Sequence, residues 1–404
     1  MKAFSSTSWA NSRSNSRSKA MNASQRHLIA EALASVVDKA RHGGPVVKIG
    51  LMATGSELGQ EEILRGGRMA QEDNAGLRVV AIGPRMPGFD DLEWIETPDS
   101  EAELNAGVEK ALSDGAVSGL VAMHFPFPIG VATIGRSMTP GRGKPMFIAS
   151  CTGTTAHSRG ESLLRNAVYG IAVAKACGVA EPSLAFLNID GAGPVLRAFS
   201  RMKDRGYAVS FGTSGRGDGG SLLRGNDLVA GSVDVLVCDT LTGNVLSKVF
   251  STFTTAGQYE TTGWGYGPSV GEGWNRIVSI VSRASGAPVI ASALALTARA
   301  ARGRLPDVVA AELKAARAAG FDEELEALKP KAAAAEQIPE KPPVVPVDEE
   351  IAGVDVLDME AAMYSLWKEK IYAETAMGCT GPVVRIQRAV KDAAIGVLKK
   401  AGYL

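Results

Sequence analysis

The stretch VDVLVCDTLTGNVLSKVF (233–250) decides the fold expected of this chain. Its first half, VDVLVCD, is short and rich in valine, as expected for a strand buried on both faces of a sheet. In its second half, Thr242, Gly243 and Asn244 open a helix that carries Lys248. The stretch therefore predicts a strand followed by a helix, which is the repeating unit of an open α/β sheet.

Seven further apolar runs bounded by glycine or proline repeat this pattern. They lie at 46–53, 77–83, 118–124, 145–150, 183–189, 207–212 and 277–282. Segments with helical periodicity, such as RHLIAEALASVVDKA (26–40) and ESLLRNAVYGIAVAKA (161–176), stand between many of them. Strands that alternate with helices predict an α/β fold with a doubly wound, mainly parallel sheet.

The composition is that of a globular protein without an obvious nucleic-acid or membrane partner. The chain has 404 residues, of which 45% are hydrophobic and 21% are charged, and its formal net charge is zero. A basic face is missing, and no apolar run approaches the roughly 18 residues of a membrane span. The four cysteines, Cys151, Cys177, Cys238 and Cys379, form no CxxC pair. We therefore expect reduced thiols, a cytoplasmic protein, and neither a metal nor an organic cofactor.

Changes in composition divide the chain into four parts. Residues 1–24 are rich in serine, asparagine and arginine and are predicted to be a disordered tail that plays no part in the fold. Residues 25–327 are predicted to form the α/β domain, and the proline-rich stretch 328–353 a linker. Residues 354–404 are predicted to form a small helical region, with an apolar stripe at helical spacing from Pro382 onward.

Three loops that follow predicted strands carry the residues expected of an anion site. Since the carboxyl ends of parallel strands meet at one edge of a sheet, the loops at 213–224, 240–248 and 282–286 are expected to form one crevice. Glycine amides, hydroxyls and cationic side chains in such loops suit phosphate. Arg283 is the first choice of ligand, and the other candidates are Ser282, Ser285, Arg216, Arg224, Asn244 and Lys248.

The first of these loops also matches a dinucleotide fingerprint in form. Gly215, Gly217 and Gly220 have the G-x-G-x-x-G spacing, and Asp239 follows the next strand, where a ribose-binding acid is found. We reject this interpretation because the intervening stretch contains Gly225 and Gly231 and is too short for a full crossover helix. A phosphate-binding loop and an ordinary surface loop both remain open.

The segment MGCTGPVV (377–384) places a cysteine between glycine and a Thr-Gly-Pro turn. If Pro382 begins a helix, the thiol of Cys379 lies at the positive end of that helix, where the pKa of a thiol falls and its thiolate becomes a nucleophile. A small buried apolar thiol is the other interpretation. The residues by themselves leave both open.

Several of these segments resemble known families. The stretch 233–250 resembles the D-x-x-x-GN signature of the phosphate acyltransferases, which are relatives of phosphotransacetylase. The segments FPFPIGVATIGR (125–136), GRGDGGSLLRGNDL (215–228), YGPSVGEGWNRIVSIVSRASGAPVIA (266–291) and MGCTGP (377–382) resemble the alpha subunit of component C of glycine/sarcosine/betaine reductase. The likeness runs from about Leu28 to the C-terminus.

This resemblance implies a fold of the phosphate acyltransferase type and a role in making acetyl phosphate. In that family a selenoprotein delivers a carboxymethyl group, component C converts it to an acetyl thioester, and phosphate cleaves the thioester. By motif match, Cys379 corresponds to the thioester cysteine. Cys151, in Cys151-Thr152-Gly153, echoes the same motif and is a second candidate thiol.

The resemblance also implies partners: phosphate, an acyl donor, a ketosynthase-like subunit, a selenoprotein or other carrier protein, and an oligomeric assembly. Two alternatives stay open. In the first alternative, the chain is a phosphate acyltransferase that acts on acyl-CoA or acyl-carrier protein without a covalent intermediate. In the second, it is a non-catalytic subunit that binds the carrier.

Overall fold

The computed structural model describes residues 46–215, 220–329, 339–355, 358–378 and 381–404. The predicted tail at 1–24 and part of the predicted linker therefore lie outside the described residues, and so do Arg216 and Cys379. The domain boundaries given above remain predictions.

One sheet of twelve strands forms the centre of the described chain. Its order is β3-β2-β1-β4-β12-β11-β5-β6-β10-β7-β8, and β9 pairs with β7. The strands are β1 Val47–Met52, β2 Leu77–Gly83, β3 Glu93–Glu96, β4 Leu120–Ala122, β5 Val131–Met138, β6 Pro145–Thr154, β7 Ser183–Leu187, β8 Ser210–Phe211, β9 Leu222–Leu223, β10 Val235–Val237, β11 Gly267–Gly271 and β12 Val278–Ile280.

Helices cover both faces of this sheet. They are α1 Gln60–Asp73, α2 Glu101–Ser113, α3 Arg159–Ala176, α4 Ala192–Asp204, α5 Gly225–Ala230, α6 Thr240–Thr252, α7 Ala287–Arg302, α8 Leu305–Ala318 and α9 Phe321–Ala327. Alternate residues of one strand pack on opposite faces: in β2, Val79 joins the core beneath α1 and Val80 joins the core beneath α2. This alternation is what a doubly wound sheet requires.

All eight strands predicted from the sequence are present, and the predicted α/β fold is confirmed. The strands that the sequence pattern missed are mostly short or glycine-containing. They include β5, with Gly135 in its middle, and β11, with Gly267 and Gly271 at its ends. Glycine weakens strand propensity, so these two strands exist because of their pairing with neighbours rather than because of their own sequence.

The missed strands β5 and β11 reverse the direction of the sheet at its centre. The pairs β12–β11, β11–β5 and β5–β6 are all antiparallel, whereas the pairs on either side of them are parallel. Since three reversals separate β12 from β6, the strands β4 and β12 run opposite to β6, β10 and β7. The sheet thus consists of two parallel halves with opposite directions.

The C-terminal region contains a second sheet, which the sequence did not predict. Strands β13 Glu349–Ala352, β14 Ala373–Gly378 and β15 Gly381–Ile386 pair antiparallel in the order β13-β15-β14, beside helices α10 Met359–Lys368 and α11 Lys391–Lys400. The prediction of a helix from Pro382 onward is wrong for its first part, which forms β15, and is confirmed for its last part, Lys391–Lys400. The β-branched Val383, Val384 and Ile386 instead form the central strand of this sheet, where pairing on both sides outweighs the helical spacing.

A carboxylate connects the C-terminal region to the main sheet. The backbone N–H of Gly191, which precedes α4, donates to Asp355 Oδ2 at 2.7 Å. Gly191 lies just beyond the carboxyl end of β7. This contact therefore lies at the edge of the sheet where β6, β10 and β7 end.

None of the helices in the described part of the chain has the length and apolar character needed to cross a bilayer.

Candidate functional site

Helix α6 begins at the motif that first suggested an anion site. The carboxylate of Asp239 accepts the backbone N–H of Thr242 at 3.0 Å and its hydroxyl at 2.7 Å, and so caps the helix. An acidic N-cap already provides the negative charge that the helix dipole favours. The Thr242 amide at this helix start is therefore occupied by the chain's own carboxylate.

The glycine and asparagine of the same motif fasten α6 to β6. A Cβ atom added to Gly243 would lie 1.9 Å from the carbonyl oxygen of Ser150. Asn244 Nδ2 donates to the carbonyl of Cys151 at 3.2 Å, and the hydroxyls of Ser150 and Thr240 lie 2.8 Å apart. These contacts fall where the register between β5 and β6 shifts. The D-x-x-x-GN motif thus fixes a helix against an irregular strand.

Replacing Gly243 by alanine is expected to cost about 3 kcal/mol of unfolding free energy or more, because the added methyl group meets a backbone carbonyl that cannot turn away. The measurement is urea unfolding followed by circular dichroism. Gly193→Ala, also in a helix, is the matched control, since its Cβ would meet only Arg197 at 3.7 Å. Equal stability of the two variants would refute the packing argument.

The described part of the loop at 213–224 is organised by another carboxylate. Asp227 accepts hydrogen bonds from the hydroxyl of Ser214, from the backbone N–H of Gly215 and from the backbone N–H of Arg224, at 2.8 to 2.9 Å. Although burial opposes ionisation, the backbone hydrogen bonds from Arg224 and Gly215 lower the pKa of Asp227. The Gly215 amide that was expected to bind phosphate is therefore already engaged.

A buried glutamate, Glu260, is hydrogen-bonded to the loop after β12. Glu260 is 1% exposed, and its Oε2 accepts the hydroxyl of Ser285 at 2.9 Å. The backbones of Glu260 and Gly286 are also hydrogen-bonded at 2.9 Å. Ser285 is fully buried, so its hydroxyl supports the loop through Glu260.

Arg283 points away from this support. Its side chain is exposed, and its guanidinium has no hydrogen bond or ion pair with any other residue that the structure describes. Its carbonyl accepts the backbone N–H of Glu57 at 2.9 Å and the hydroxyl of Ser56 at 3.2 Å. The loop after β1 therefore fixes the Arg283 backbone and leaves the cationic fork available to an anion.

Lys248 joins helix α6 to the loop after β12. Its Nζ donates to the hydroxyl of Ser282 at 3.3 Å and lies 3.9 Å from Glu260 Oε1. About half of the Lys248 side chain is exposed, so the pair with Glu260 leaves the ammonium open to a further anion. Two of the three predicted loops thus meet through direct side-chain contact.

A third cation, Arg136, lies on the other face of the sheet from Lys248. The next residue, Ser137, contacts Ser247 of α6, whereas the Arg136 guanidinium stacks on Trp264 at 4.4 Å and lies over Phe147 at 5.2 Å, in the core that contains Cys177. Burial, together with the charge of Arg299, lowers the pKa of Arg136 below its ordinary value. Arg136 is therefore separate from the cations at the end of β12.

Sequence reasoning missed two residues of this cluster: Glu260 and Ser56. Ser56 could have been found, because the loop ATGSELG (53–59) follows the first predicted strand. Glu260 gives no local signal, since only the fold brings it to Ser285.

The prediction that all three loops open to one edge of a parallel sheet is wrong. Because β10 and β12 run in opposite directions, their carboxyl ends lie at opposite edges. Lys248 nevertheless reaches Ser282, because α6 returns along the sheet and Lys248 lies about two turns from its start. Asn244 and the loop at 213–224 belong to the other edge, where Asp355 contacts Gly191.

The described cysteines are all buried. Desolvation raises the pKa of Cys151 to about 11, despite the Ser247 hydroxyl 3.2 Å from its sulfur, and raises that of Cys177 to about 12. The pKa of Cys238 is also raised by burial. High pKa and burial favour a packing role for Cys151 over that of a second reactive thiol.

Cys379, the predicted thioester cysteine, lies outside the described residues. The described strands on either side of it, β14 and β15, pair antiparallel, with Gly378 opposite Gly381. The next α-helix in the chain begins only at Lys391, after a 3₁₀ turn at Arg388–Val390. No α-helix therefore begins at Pro382 to lower the pKa of the Cys379 thiol.

Comparison with known proteins identifies the family. The fatty acid synthesis protein family matches residues 47–385. The chain is 46% identical over 360 residues to the alpha subunit of component C of the glycine/sarcosine/betaine reductase complex of Peptoclostridium acidaminophilum, which covers 89% of this chain and 93% of that relative.

More distant relatives are phosphate acyltransferases. Those of Thermotoga petrophila and Thermotoga maritima are each 27% identical, over 241 and 235 residues. The first match covers 52% of this chain and 69% of the relative, and the second covers 50% and 68%. The phosphate acyltransferase type of fold is thereby confirmed. The chain therefore belongs to the fatty acid synthesis protein family, together with the alpha subunit of reductase component C and the phosphate acyltransferases.

Proposed function

We propose that this protein is an acyltransferase that forms acetyl phosphate from an acetyl thioester carried on Cys379. The observation that supports it most directly is the cationic cluster at the end of β12. Lys248 contacts Ser282, and Arg283 presents a guanidinium without a described partner. One carboxylate, that of Glu260, stands beside these two cations, so the cluster favours an anion.

The proposed reaction has two steps. The Cys379 thiolate attacks the carbonyl of an acetyl thioester donor, the bond to the donor sulfur breaks, and the donor leaves as a thiolate. A phosphate oxygen then attacks the acetyl carbonyl, the bond to the Cys379 sulfur breaks, and acetyl phosphate departs. Cys379 returns to the thiolate, and the proton of the attacking phosphate passes to the released donor thiolate. Phosphate dianion is a good nucleophile, so this second step needs positioning and neutralisation of charge more than it needs a base.

Arginine and lysine suit that second step for different reasons. The fork of Arg283 binds two phosphate oxygens at once, and Lys248 supplies a point charge beside the hydroxyl of Ser282. Both also offset the negative charge that develops on the carbonyl oxygen during attack.

We further propose that the chain acts in the cytoplasm, within a complex of the amino-acid reductase type, beside a ketosynthase-like subunit and a selenoprotein or other carrier. The relative from Peptoclostridium acidaminophilum is named as a subunit of such a complex. The described cysteines are free, which suits a reducing compartment.

A second candidate is direct transfer of an acyl group from acyl-CoA or acyl-carrier protein to phosphate. The similarity to the two Thermotoga phosphate acyltransferases favours it. In that case the cationic cluster keeps its role, and Cys379 carries no acyl group.

Acetyl phosphate formation tests the proposed activity. The protein is incubated with a small acetyl thioester and with increasing inorganic phosphate, and acetyl phosphate is trapped as the hydroxamate. We expect product that depends on both substrates and that saturates with phosphate. Absence of acetyl phosphate from this donor, from acetyl-CoA and from an acetylated carrier protein would instead support a non-catalytic, carrier-binding subunit.

A further inference from the structure

The hydroxyl of Ser282, beside the cations of the cluster, already makes every hydrogen bond open to it. Its oxygen accepts from Lys248 Nζ at 3.3 Å and from the backbone N–H of Ala284 at 3.2 Å. Its hydrogen is directed to the phenol oxygen of Tyr266. A hydroxyl has one hydrogen and two lone pairs, so Ser282 has no donor left for an anion.

The carboxylate of Glu260 sets the direction of this network. Its Oε1 accepts the hydroxyl of Tyr266 at 3.5 Å, and its Oε2 accepts that of Ser285 at 2.9 Å. Burial, together with the charge of Glu260, raises the pKa of Tyr266, so the phenol keeps its hydrogen and remains a donor. Because a carboxylate accepts hydrogen bonds and does not donate them, the hydroxyl hydrogens of Tyr266, Ser285 and Ser282 all point into the protein.

The remaining hydroxyl near Arg283 is engaged in the same way. Ser56 donates to the carbonyl of Arg283 at 3.2 Å and accepts the backbone N–H of Leu58 at 3.0 Å. Among the described side chains of this cluster, the ammonium of Lys248 and the guanidinium of Arg283 are the groups left to face an anion. Both carry N–H donors, and neither has an acceptor.

We propose that Glu260 makes this a site of N–H donors alone, which binds sulfate about as well as hydrogen phosphate. The inference rests on the proposed function, because phosphate is the substrate of that reaction. The two dianions share their shape and charge and differ in the hydroxyl that phosphate keeps. A site built to hydrogen-bond a hydroxyl rejects the analogue without it by about four orders of magnitude. Glu260 cannot supply that acceptor, since it is 1% exposed and both of its oxygens are engaged.

Equilibrium binding of the two anions to the full chain tests the proposal. Inorganic phosphate and sulfate are titrated by calorimetry at about pH 8, where phosphate is mostly a dianion, first separately and then each in the presence of the other. We expect dissociation constants that differ by less than about tenfold, and competition between the anions. Arg283→Ala should weaken both by the same factor. Sulfate should also slow release of the acetyl group by phosphate and leave acetylation of the protein unchanged.

Tyr266→Phe tests the hydroxyl network without changing any charge. Removing the phenol oxygen frees the Ser282 hydroxyl to turn toward the anion, so phosphate and sulfate should both bind at least about fivefold more tightly. Adding Ser282→Ala should cancel that gain. The matched control is Tyr364→Phe, which changes a ring stacked on Trp367 in the C-terminal region and should leave both dissociation constants unchanged.

Preference for phosphate over sulfate by more than about tenfold would overturn the proposal, because some group would then accept the phosphate hydrogen. Weaker or unchanged binding of both anions by Tyr266→Phe would also overturn it, since the Ser282 hydroxyl would not be held inside by Tyr266. The test is separate from that of the activity. Acetyl phosphate formed by a protein that rejects sulfate refutes this inference alone, whereas equal binding of both anions without acetyl phosphate refutes the activity alone.

Discussion

Replacing Cys379 by alanine is expected to abolish acetyl phosphate formation from a small acetyl thioester, with a rate at least about four orders of magnitude below wild type. Without a sulfur nucleophile the acetyl group has no covalent carrier, and the cationic cluster has only free thioester to act on. The measurement is the initial rate of hydroxamate-trapped product at saturating phosphate.

The other cysteines provide matched controls. Cys151→Ser conserves the shape of a side chain that is buried next to Ser247 and whose thiol has a pKa near 11. Cys177→Ala removes another buried thiol, whose pKa is near 12. Both variants should retain activity, apart from any loss of stability. If Cys151→Ser is inactive and Cys379→Ala is active, the nucleophile is the cysteine of the other Cys-Thr-Gly segment.

Arg283→Ala is expected to leave acetylation of Cys379 intact and to slow its release by phosphate by two to four orders of magnitude. A single charged contact to the transition state is worth about 3–5 kcal/mol, which corresponds to a rate change of that size. Arg283 is suited to this contact because its backbone is fixed by Ser56 and Glu57 while its guanidinium has no other described partner. The measurement is single-turnover decay of the acetylated protein at varied phosphate.

Three further arginine variants sharpen this prediction. Arg283→Lys keeps the charge but loses the fork, so an intermediate rate is expected. Arg78→Ala removes an exposed arginine from β2 and should have no effect. Arg224 lies at the opposite edge of the sheet, the edge to which Asp355 connects the C-terminal region. If Arg224→Ala stops phosphorolysis and Arg283→Ala does not, phosphate meets the thioester at that edge.

The sequence predicted the strands that are stabilised by their own composition. Runs such as LRVVAIG (77–83) are β-branched and buried on both faces, so the pattern identifies them without tertiary information. β5 and β11 are different, because they contain glycine and depend on pairing with neighbours. Because the sequence prediction lacked β5 and β11, it made the whole sheet parallel. It therefore placed the three loops at one edge of the sheet.

The sequence predicted which types of residue form the candidate site. It predicted only part of how those residues contact one another. Arg283, Ser282 and Lys248 were identified from post-strand loops, and the structure brings Lys248 against Ser282. Glycine in the D-x-x-x-GN motif was read as a source of free amides. Instead, Asp239 caps the helix and Gly243 gives room for Ser150. A sequence shows which loops hold donors but not whether the chain's own carboxylates occupy them.

The C-terminal region shows the same limit. Val383, Val384 and Ile386 fit a strand by their branching, and Ile386, Val390 and Val397 fit a helix by their spacing. The choice depends on β13 and β14, which supply hydrogen-bond partners on both sides of β15. The local sequence pattern therefore could not show whether a strand or a helix follows Cys379. The role proposed for Cys379 rests on the similarity to the reductase subunit.

The intact mass of the wild-type protein tests the covalent mechanism most directly. The protein is mixed with an acetyl thioester in the absence of phosphate, measured, and measured again after phosphate is added. We expect the protein to gain one acetyl group, located on the peptide that contains Cys379. Phosphate should then remove it and release one equivalent of acetyl phosphate. Acetyl phosphate formed at full rate without any acetylated protein would contradict the covalent mechanism and establish direct transfer to phosphate.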